Sequence, residues 1–210
     1  MREGDGPSAS GVGAGSATRL PRWGPRVGPH AKKSAPRHKK KMTTIQASGR
    51  ASGFRFAVVV SKYHDFVTDR LQAGALDALS AAGVAASDIT VVRVPGAFEI
   101  PLAAQRAAET GRFDAVVCLG CVIRGETPHF DYICSAVAHG LTGASAATGV
   151  PIAFGVLTTN SVEEALARAG DGPGNKGREA AIAAIEMAEV IAQLTQPTPS
   201  ERAGAGPREP

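Results

Sequence analysis

The side chains with the clearest chemical potential stand in one short loop, Gly125-Glu126-Thr127-Pro128-His129, between an apolar run and a helical stretch. Thr127 is predicted to cap the helix and Pro128 to take its first position, where no N–H is needed. The free N–H groups and the positive end of the helix dipole would then form an anion pocket. The same dipole would keep His129 neutral and able to act as a base. An ordinary surface histidine at a helix end is equally compatible with the local chemistry.

Three further loops are predicted to lie at the same edge of the molecule: Ser61–Asp65, Pro95–Glu99 and Thr158–Asn160. Each is associated with the end of an apolar run, and in an open parallel sheet the ligand binds where the strands end. Aromatic side chains near these ends could stack on a flat heterocycle, although ordinary packing is the commoner role of any single one. They are Tyr63, Phe98 and Phe154.

Two other motifs carry less weight. Cys118-Leu119-Gly120-Cys121 lies inside an apolar run rather than at a helix N-terminus, so core packing is favoured over redox chemistry. A zinc site would need more ligands than the nearby Cys134. The run Gly172–Gly177 lacks the spacing of a phosphate loop and predicts a mobile loop with an available Lys176. No dinucleotide fingerprint is present in the predicted core, so dinucleotide binding has no support from the sequence.

The order of apolar and amphipathic stretches predicts the fold class. Predicted strands are Phe54–Ser61, Thr90–Val94, Asp114–Ile123 and Val150–Thr158, and predicted helices are Phe66–Ala82, Ala97–Thr110, Pro128–Thr148, Ser161–Ala169 and Lys176–Leu194. Continuous apolar runs are typical of strands buried on both faces of a parallel sheet. Ser161 with Glu164 forms a capping box, and Asn175 is a candidate N-cap. The alternation predicts right-handed crossovers and an α/β three-layer sandwich with a four-stranded, mostly parallel sheet.

Charge divides the 210-residue chain into segments. Residues 1–41 contain ten Lys/Arg against Glu3 and Asp5, a formal charge of +8, whereas residues 54–195 contain ten Lys/Arg against fifteen Asp/Glu. Residues 1–53 and 196–210 are predicted to be a disordered leader and tail around one domain at 54–195, because they bury too little apolar surface to offset chain entropy. Met42-Thr43-Thr44-Ile45 is typical of a native start, which leaves open whether residues 1–41 belong to the native protein.

The basic cluster at residues 32–41 could bind nucleic acid or an anionic surface, but a solvated tail is favoured. An organelle transit peptide is a further alternative, whereas no apolar segment of the secretory type is present. No apolar run approaches the roughly 18 residues that a membrane span needs. Three cysteines are too few for a disulfide scaffold, which favours a reducing compartment, and the predicted location is cytoplasmic.

Four separated motifs resemble the 6,7-dimethyl-8-ribityllumazine synthase family, and the resemblance extends from Phe54 to Leu194. The motifs are Val94–Pro101, Gly120–Tyr132, Gly155–Asn160 and Gly174–Gly177. The resemblance implies a flavodoxin-like fold. It also implies condensation of 5-amino-6-(D-ribitylamino)uracil with 3,4-dihydroxy-2-butanone 4-phosphate, which releases phosphate and water and makes the immediate precursor of riboflavin. The family uses no metal or redox cofactor.

The resemblance implies roles for individual positions. Tyr63 matches an aromatic residue that stacks on the pyrimidine ring, and Ala97-Phe98-Glu99 matches the segment that holds the ribityl chain. Cys121-Val122-Ile123 matches the backbone that lines the pyrimidine pocket. Glu126-Thr127 matches the phosphate-binding turn, and His129 matches the proton-transfer residue.

Further positions match residues that the family supplies from an adjacent subunit. They are Phe154, which stacks on the ring, and Arg168, which binds phosphate; Lys176 matches a nearby basic residue. The resemblance implies small-molecule substrates and a homo-oligomer built on pentamers, with decamers and icosahedral shells of sixty subunits left open. No membrane or nucleic-acid partner is expected. Two alternatives remain: a flavin- or pteridine-binding module without turnover, and a mainly structural shell protein, a role that is compatible with catalysis.

Overall fold

The computed structural model describes residues 42–196, so the predicted leader up to residue 41 and the tail from residue 197 lie outside the described residues. The strands are β1 (Phe56–Ser61), β2 (Ile89–Val94), β3 (Ala115–Ile123) and β4 (Ile152–Thr159). The α-helices are α1 (Asp65–Ala81), α2 (Ile100–Glu109), α3 (His129–Thr148), α4 (Val162–Arg168) and α5 (Lys176–Thr195). Short 3₁₀ turns, Ala86–Asp88 and Ala97–Glu99, precede β2 and α2. Every predicted element is present with slightly shifted ends.

The strands form one sheet in the order β2-β1-β3-β4, and every neighbouring pair is parallel. β1 and most of β3 are buried, as continuous apolar runs predict for the centre of a parallel sheet. That prediction is wrong for the outer strands, where Val91 of β2 and Phe154 of β4 are exposed. An edge strand has a neighbour on one side only, so the layers cover it less completely.

Alternate side chains of β1 enter two separate hydrophobic cores, because successive residues of a strand point to opposite faces. Phe56 and Val58 join a core that contains residues of α1 and α5. Ala57 and Val59 join a core that contains residues of α2 and α3. The helices therefore cover both faces of the sheet, which confirms the α/β three-layer sandwich.

The run Gly172–Gly177 ends at a close crossing of α1 and α5. Asn175 caps α5, as predicted, by accepting hydrogen bonds from the N–H groups of Gly177 and Arg178 at 2.9 and 3.1 Å. Its side-chain amide donates to carbonyls of α1 and of the segment after α4. Gly177 packs directly on the backbone of Leu71, where a side chain would clash. The motif thus has a structural function that fixes the position of Lys176.

The beginning of α3 differs from the prediction. The helix starts at His129 with Pro128 as its N-cap, and Thr127 makes no capping hydrogen bond. Pro128 already has helical backbone angles, φ −63° and ψ −2°. Its carbonyl accepts hydrogen bonds from the N–H groups of Asp131 and Tyr132, so the first turn is anchored one residue later than expected.

The predicted capping box of α4 forms with one change of partner. Ser161 accepts a hydrogen bond from the N–H of Glu164 at 3.2 Å, as predicted. The Glu164 carboxylate accepts from the N–H of Asn160 rather than from that of Ser161.

Residues 43–53, which precede the domain predicted at residues 54–195, pack on it. Thr43 is the first residue of the compact unit that contains the sheet. Ala51 is fully buried in the α1–α5 core, and its N–H donates to the carbonyl of Ala82 at 2.9 Å. The carboxylate of Glu189 accepts hydrogen bonds from the N–H groups of Ser48 and Arg50. The segment is poor in large apolar residues and is held instead by these polar contacts.

Candidate active site

A cavity of about 510 Å³ opens where β1, β2 and β3 end, and it is called the strand-end cavity below. Most of the predicted site residues line it: Tyr63, Ala97, Phe98, Glu99, Cys121, Val122, Ile123, Thr127 and His129. Glu126 does not line it, although its neighbours Gly125 and Thr127 do. The structure therefore brings together three of the four predicted loops at the edge where parallel-sheet proteins bind ligands.

The first wall is the loop after β1. The N–H groups of Lys62 and Tyr63 donate to the carbonyls of Val94 and Pro95 at 2.8 and 3.1 Å. These bonds continue the β1–β2 ladder into the loops and fix their relative position. The Tyr63 ring remains 67% exposed, so a ligand ring could reach it.

His64 is a cavity residue that the sequence analysis did not select. It has a left-handed backbone conformation, φ 61°, which is uncommon for a residue with a side chain. Its carbonyl accepts from the N–H groups of Val67 and Thr68, and its ring lies edge-on to Tyr63 with centroids 4.4 Å apart. Burial lowers the pKa of His64, and the Asp65 carboxylate opposes that shift. The sequence signal that could have identified His64 is the presence of a histidine in the predicted loop Ser61–Asp65.

The second wall is the 3₁₀ turn Ala97–Glu99 together with the end of β3. Ala97 is buried beneath the turn, whereas the Phe98 side chain is 58% exposed. Cys121 is buried in the core, and burial raises its pKa to about 11. Burial also raises the pKa of Cys118. Both thiols are therefore protonated near neutral pH and packed in the core, as predicted, rather than available as nucleophiles.

The third wall is the segment from Gly125 to Phe130. Thr127 and His129 are exposed at the cavity rim. Within residues 42–196, the N–H groups of Gly125, Glu126 and Thr127 donate to no protein acceptor. Unpaired amides beside a helix N-terminus suit an anionic ligand.

A second cavity of about 380 Å³ contains the remaining predicted residues, Phe154, Arg168 and Lys176, and is called the α5 cavity below. Phe154 is 47% exposed on the edge strand β4. Arg168 Nη1 donates to the carbonyl of Glu164 at 2.9 Å, and Lys176 Nζ lies 2.7 Å from a Glu179 carboxylate oxygen. None of these residues lines the strand-end cavity of the described chain.

The sequence of residues 53–192 matches the family model described as 6,7-dimethyl-8-ribityllumazine synthase. The chain belongs to the 6,7-dimethyl-8-ribityllumazine synthase family. A protein of that name from Syntrophus aciditrophicus is 54% identical over 144 residues, which cover 69% of this chain and 94% of the relative. Another from Desulfatibacillum aliphaticivorans is 49% identical over 150 residues, which cover 71% of this chain and 97% of the relative.

Most of the residues that line the strand-end cavity are among those that the sequence analysis selected for the site. Six others that the sequence analysis did not name as site residues also line it: His64, Gly96, Gly125, Phe130, Ile133 and Val162. The glycines and apolar residues among them indicate no chemistry by their type, whereas His64 does. In the part of the chain that the structure describes, no three His, Cys, Asp or Glu side chains group as metal ligands would. No helix within residues 42–196 is both long and apolar enough to cross a membrane.

Proposed function

We propose that the strand-end cavity and the α5 cavity of a neighbouring copy together form the site of lumazine synthesis. The reaction follows from membership of the family: 5-amino-6-(D-ribitylamino)uracil condenses with 3,4-dihydroxy-2-butanone 4-phosphate to give 6,7-dimethyl-8-ribityllumazine, phosphate and two water molecules. One observation supports the shared site: the residues that match the family's site lie in two separate cavities of one chain.

The strand-end cavity is proposed to hold the pyrimidine. The exposed Tyr63 ring would stack on the heterocycle, and its edge contact with His64 would limit the rotation of that ring. The turn Ala97-Phe98-Glu99 would hold the ribityl chain, with the Glu99 carboxylate as an acceptor for hydroxyl groups. The backbone of Cys121-Val122-Ile123 would contact the polar edge of the ring, because the end of β3 lines the cavity.

The segment Gly125–His129 is proposed to hold the phosphate and to move protons. The amides of Gly125, Glu126 and Thr127 are available to phosphate oxygens. The His129 imidazole stands at the rim of the same cavity. It can transfer protons as the substrate amine attacks the ketone, water leaves to form an imine, phosphate is eliminated, and ring closure onto the second carbonyl releases a second water. Much of the acceleration then comes from holding two reactants together, so His129→Ala should slow the reaction without abolishing it.

The α5 cavity is proposed to complete the site from the adjacent subunit. Phe154 would stack on the opposite face of the ring, and Arg168 would bind the phosphate with its planar fork. Lys176 would add positive charge beside it. The exposed aromatic side chain on edge strand β4 supports this arrangement, since a neighbouring copy would cover it. We propose a cytoplasmic homo-oligomer built on pentamers, with no cofactor.

The test is lumazine formation from the two substrates, followed by absorbance with purified protein. Turnover that requires both substrates supports the proposed function. Binding of the lumazine without turnover would instead indicate a binding module. Light scattering on the same sample measures the size of the assembly, and an active monomer would contradict the shared site.

A further inference from the structure

Arg124, the first residue after β3, joins three elements although it does not line the strand-end cavity. Its guanidinium makes a two-pronged ion pair with Asp131 of α3, with Nη2 2.9 Å and Nη1 3.3 Å from the two carboxylate oxygens. Its Nε donates to the side chain of Asn160, after β4, at 3.3 Å. The same guanidinium lies over the ring of Phe130, 4.2 Å from its centroid. Phe130 is itself a wall of the cavity.

The segment Gly125–Pro128, called the anion turn here, depends on its two ends for its conformation. Its Gly125, Glu126 and Thr127 amides donate to no acceptor within the described residues, so internal backbone hydrogen bonds do not fix it. At its first end, the N–H of Arg124 donates to the carbonyl of Thr159 at 2.9 Å. At its other end stands the first turn of α3, which contains Phe130 and Asp131. The Arg124 side chain is the direct link between these two ends.

We infer that Arg124 is a positioning residue for phosphate binding, which acts on the anion turn through Asp131 and Phe130. The bidentate pair sets the distance across the turn, and the contact with the ring sets the orientation of Phe130. Lysine would keep the charge but lose the planar fork that makes these contacts at once. This inference rests on the proposed function, because it takes the anion turn as the place where the butanone phosphate is held.

A general contribution to folding does not account for this arrangement. The Arg124 and Asp131 side chains are 44% and 60% exposed, and exposed ion pairs contribute little to the free energy of unfolding. Neither residue belongs to the two hydrophobic cores. The contacts instead converge on the segment that borders the cavity.

The experiment compares Arg124→Lys, Asp131→Asn and the double variant in the full chain, with KM measured separately for each substrate. The matched control is Arg112→Lys, because Arg112 also stacks on an aromatic ring, 5.2 Å from the Phe113 centroid, but precedes β3 at the far edge of the sheet. Arg124→Lys should raise the KM for the butanone phosphate about five- to tenfold and change the KM for the pyrimidine less than about twofold. Asp131→Asn should show the same selectivity, and Arg112→Lys should change neither KM.

The double variant should lose less than the product of the two single effects, because the residues act as one unit. Multiplicative effects, unchanged KM values, or equal changes for both substrates would each overturn the inference. A large fall in Tm with equal losses for both substrates would also overturn it, since that result indicates a general structural role. Arg168→Ala, measured in parallel, separates the two proposals. If the KM for the butanone phosphate rises selectively in Arg168→Ala but not in Arg124→Lys, the positioning role of Arg124 is wrong and the proposed function stands. If the wild-type protein forms no lumazine, the proposed function is wrong.

Discussion

The strand-end cavity and the α5 cavity hold their functional groups in different ways. In the strand-end cavity, backbone hydrogen bonds join neighbouring loops, and the strands of the sheet fix the walls behind them. The Tyr63 ring makes an edge contact with the His64 ring, and the Ala97 side chain is buried under the 3₁₀ turn. This side of the molecule therefore presents a preformed shape that suits a flat ring.

In the α5 cavity the useful groups are exposed cations that are paired with their own helices. Arg168 donates to the carbonyl of Glu164, and Lys176 pairs with Glu179 while about half of each side chain remains exposed. Such local surface contacts are weak enough to yield to a phosphate. One copy of the chain thus has a shaped cavity in one place and positive charge in another, and the proposed shared site would combine the two from neighbouring copies.

The largest expected effect comes from mixing two impaired variants, His129→Ala and Arg168→Ala, each of which damages a different cavity. In the proposed cyclic ring each interface would pair the strand-end cavity of one subunit with the α5 cavity of the next. Refolding equal amounts together should leave about one interface in four fully wild type, so activity should rise above either variant alone, toward roughly a quarter of wild type if both parental rates are close to zero. Activity is measured by lumazine absorbance before and after subunit exchange.

Each variant refolded alone is the control for this experiment, and exchange is verified by mass spectrometry of the mixed oligomers. If mixed oligomers form and activity stays at the parental level, the two residues act within one chain. The division between the two cavities would then be incorrect.

A smaller but selective effect is expected for Arg168→Ala alone. The change removes a charge-assisted partner of the phosphate, and such contacts contribute about 1.5–3 kcal/mol. Use of the butanone phosphate should weaken far more than binding of the pyrimidine, measured as KM for one and as Kd for the other. Arg168→Lys should recover part of the loss, because lysine keeps the charge without the fork. Equal weakening for both substrates would move Arg168 out of the phosphate site.

The two cavities also differ in how far residue patterns alone could predict them. Most of the strand-end cavity could be predicted at one edge of the sheet. The prediction came from the apolar runs of β1 and β3 and from the loop that ends at His129. Nothing in local periodicity separates Phe154 and Arg168 from that edge, and their assignment to a neighbouring subunit came from the family resemblance. Strand order decides which strands are edges, and a run such as Thr90–Val94 does not encode it. Residue patterns also did not predict side-chain contacts between residues that are distant in sequence.

The contact of Glu189 with residues 48–50 is one such distant pairing, and a modest effect is expected when it is weakened. Burial raises the pKa of Glu189. The backbone and hydroxyl donors of Ser48, together with the Arg50 and Gly49 amides, lower it by more, so the pKa of Glu189 lies below its ordinary value of 4.5. The stabilising contribution is therefore fully present above pH 4.5 and lost as pH falls through the lower folded-state pKa.

Glu189→Gln should loosen this contact at neutral pH, because the amide has one acceptor oxygen in place of two and no charge. Hydrogen exchange of the peptide covering residues 43–53 should become severalfold faster, while both KM values stay unchanged, since Glu189 lines neither cavity. Glu186→Gln is the matched control, an exposed carboxylate on the same helix. A change in KM in the Glu189 variant would show that the amino-terminal segment influences a cavity.

The smallest effect is expected from removing residues 1–41. No residue proposed for either cavity precedes Tyr63, and among the described residues the segment 43–53 is held by its own contacts, such as those of Ser48 and Gln46 with α5. A protein that starts at Met42 should therefore retain wild-type turnover and Tm, measured by lumazine absorbance and thermal unfolding. A protein that starts at Phe54 is the informative contrast, because it lacks the buried Ala51 and the donors to Glu189, and its Tm should fall. A large loss of activity or solubility in the first protein would contradict this expectation, and a change confined to oligomer size would instead assign residues 1–41 a role in assembly.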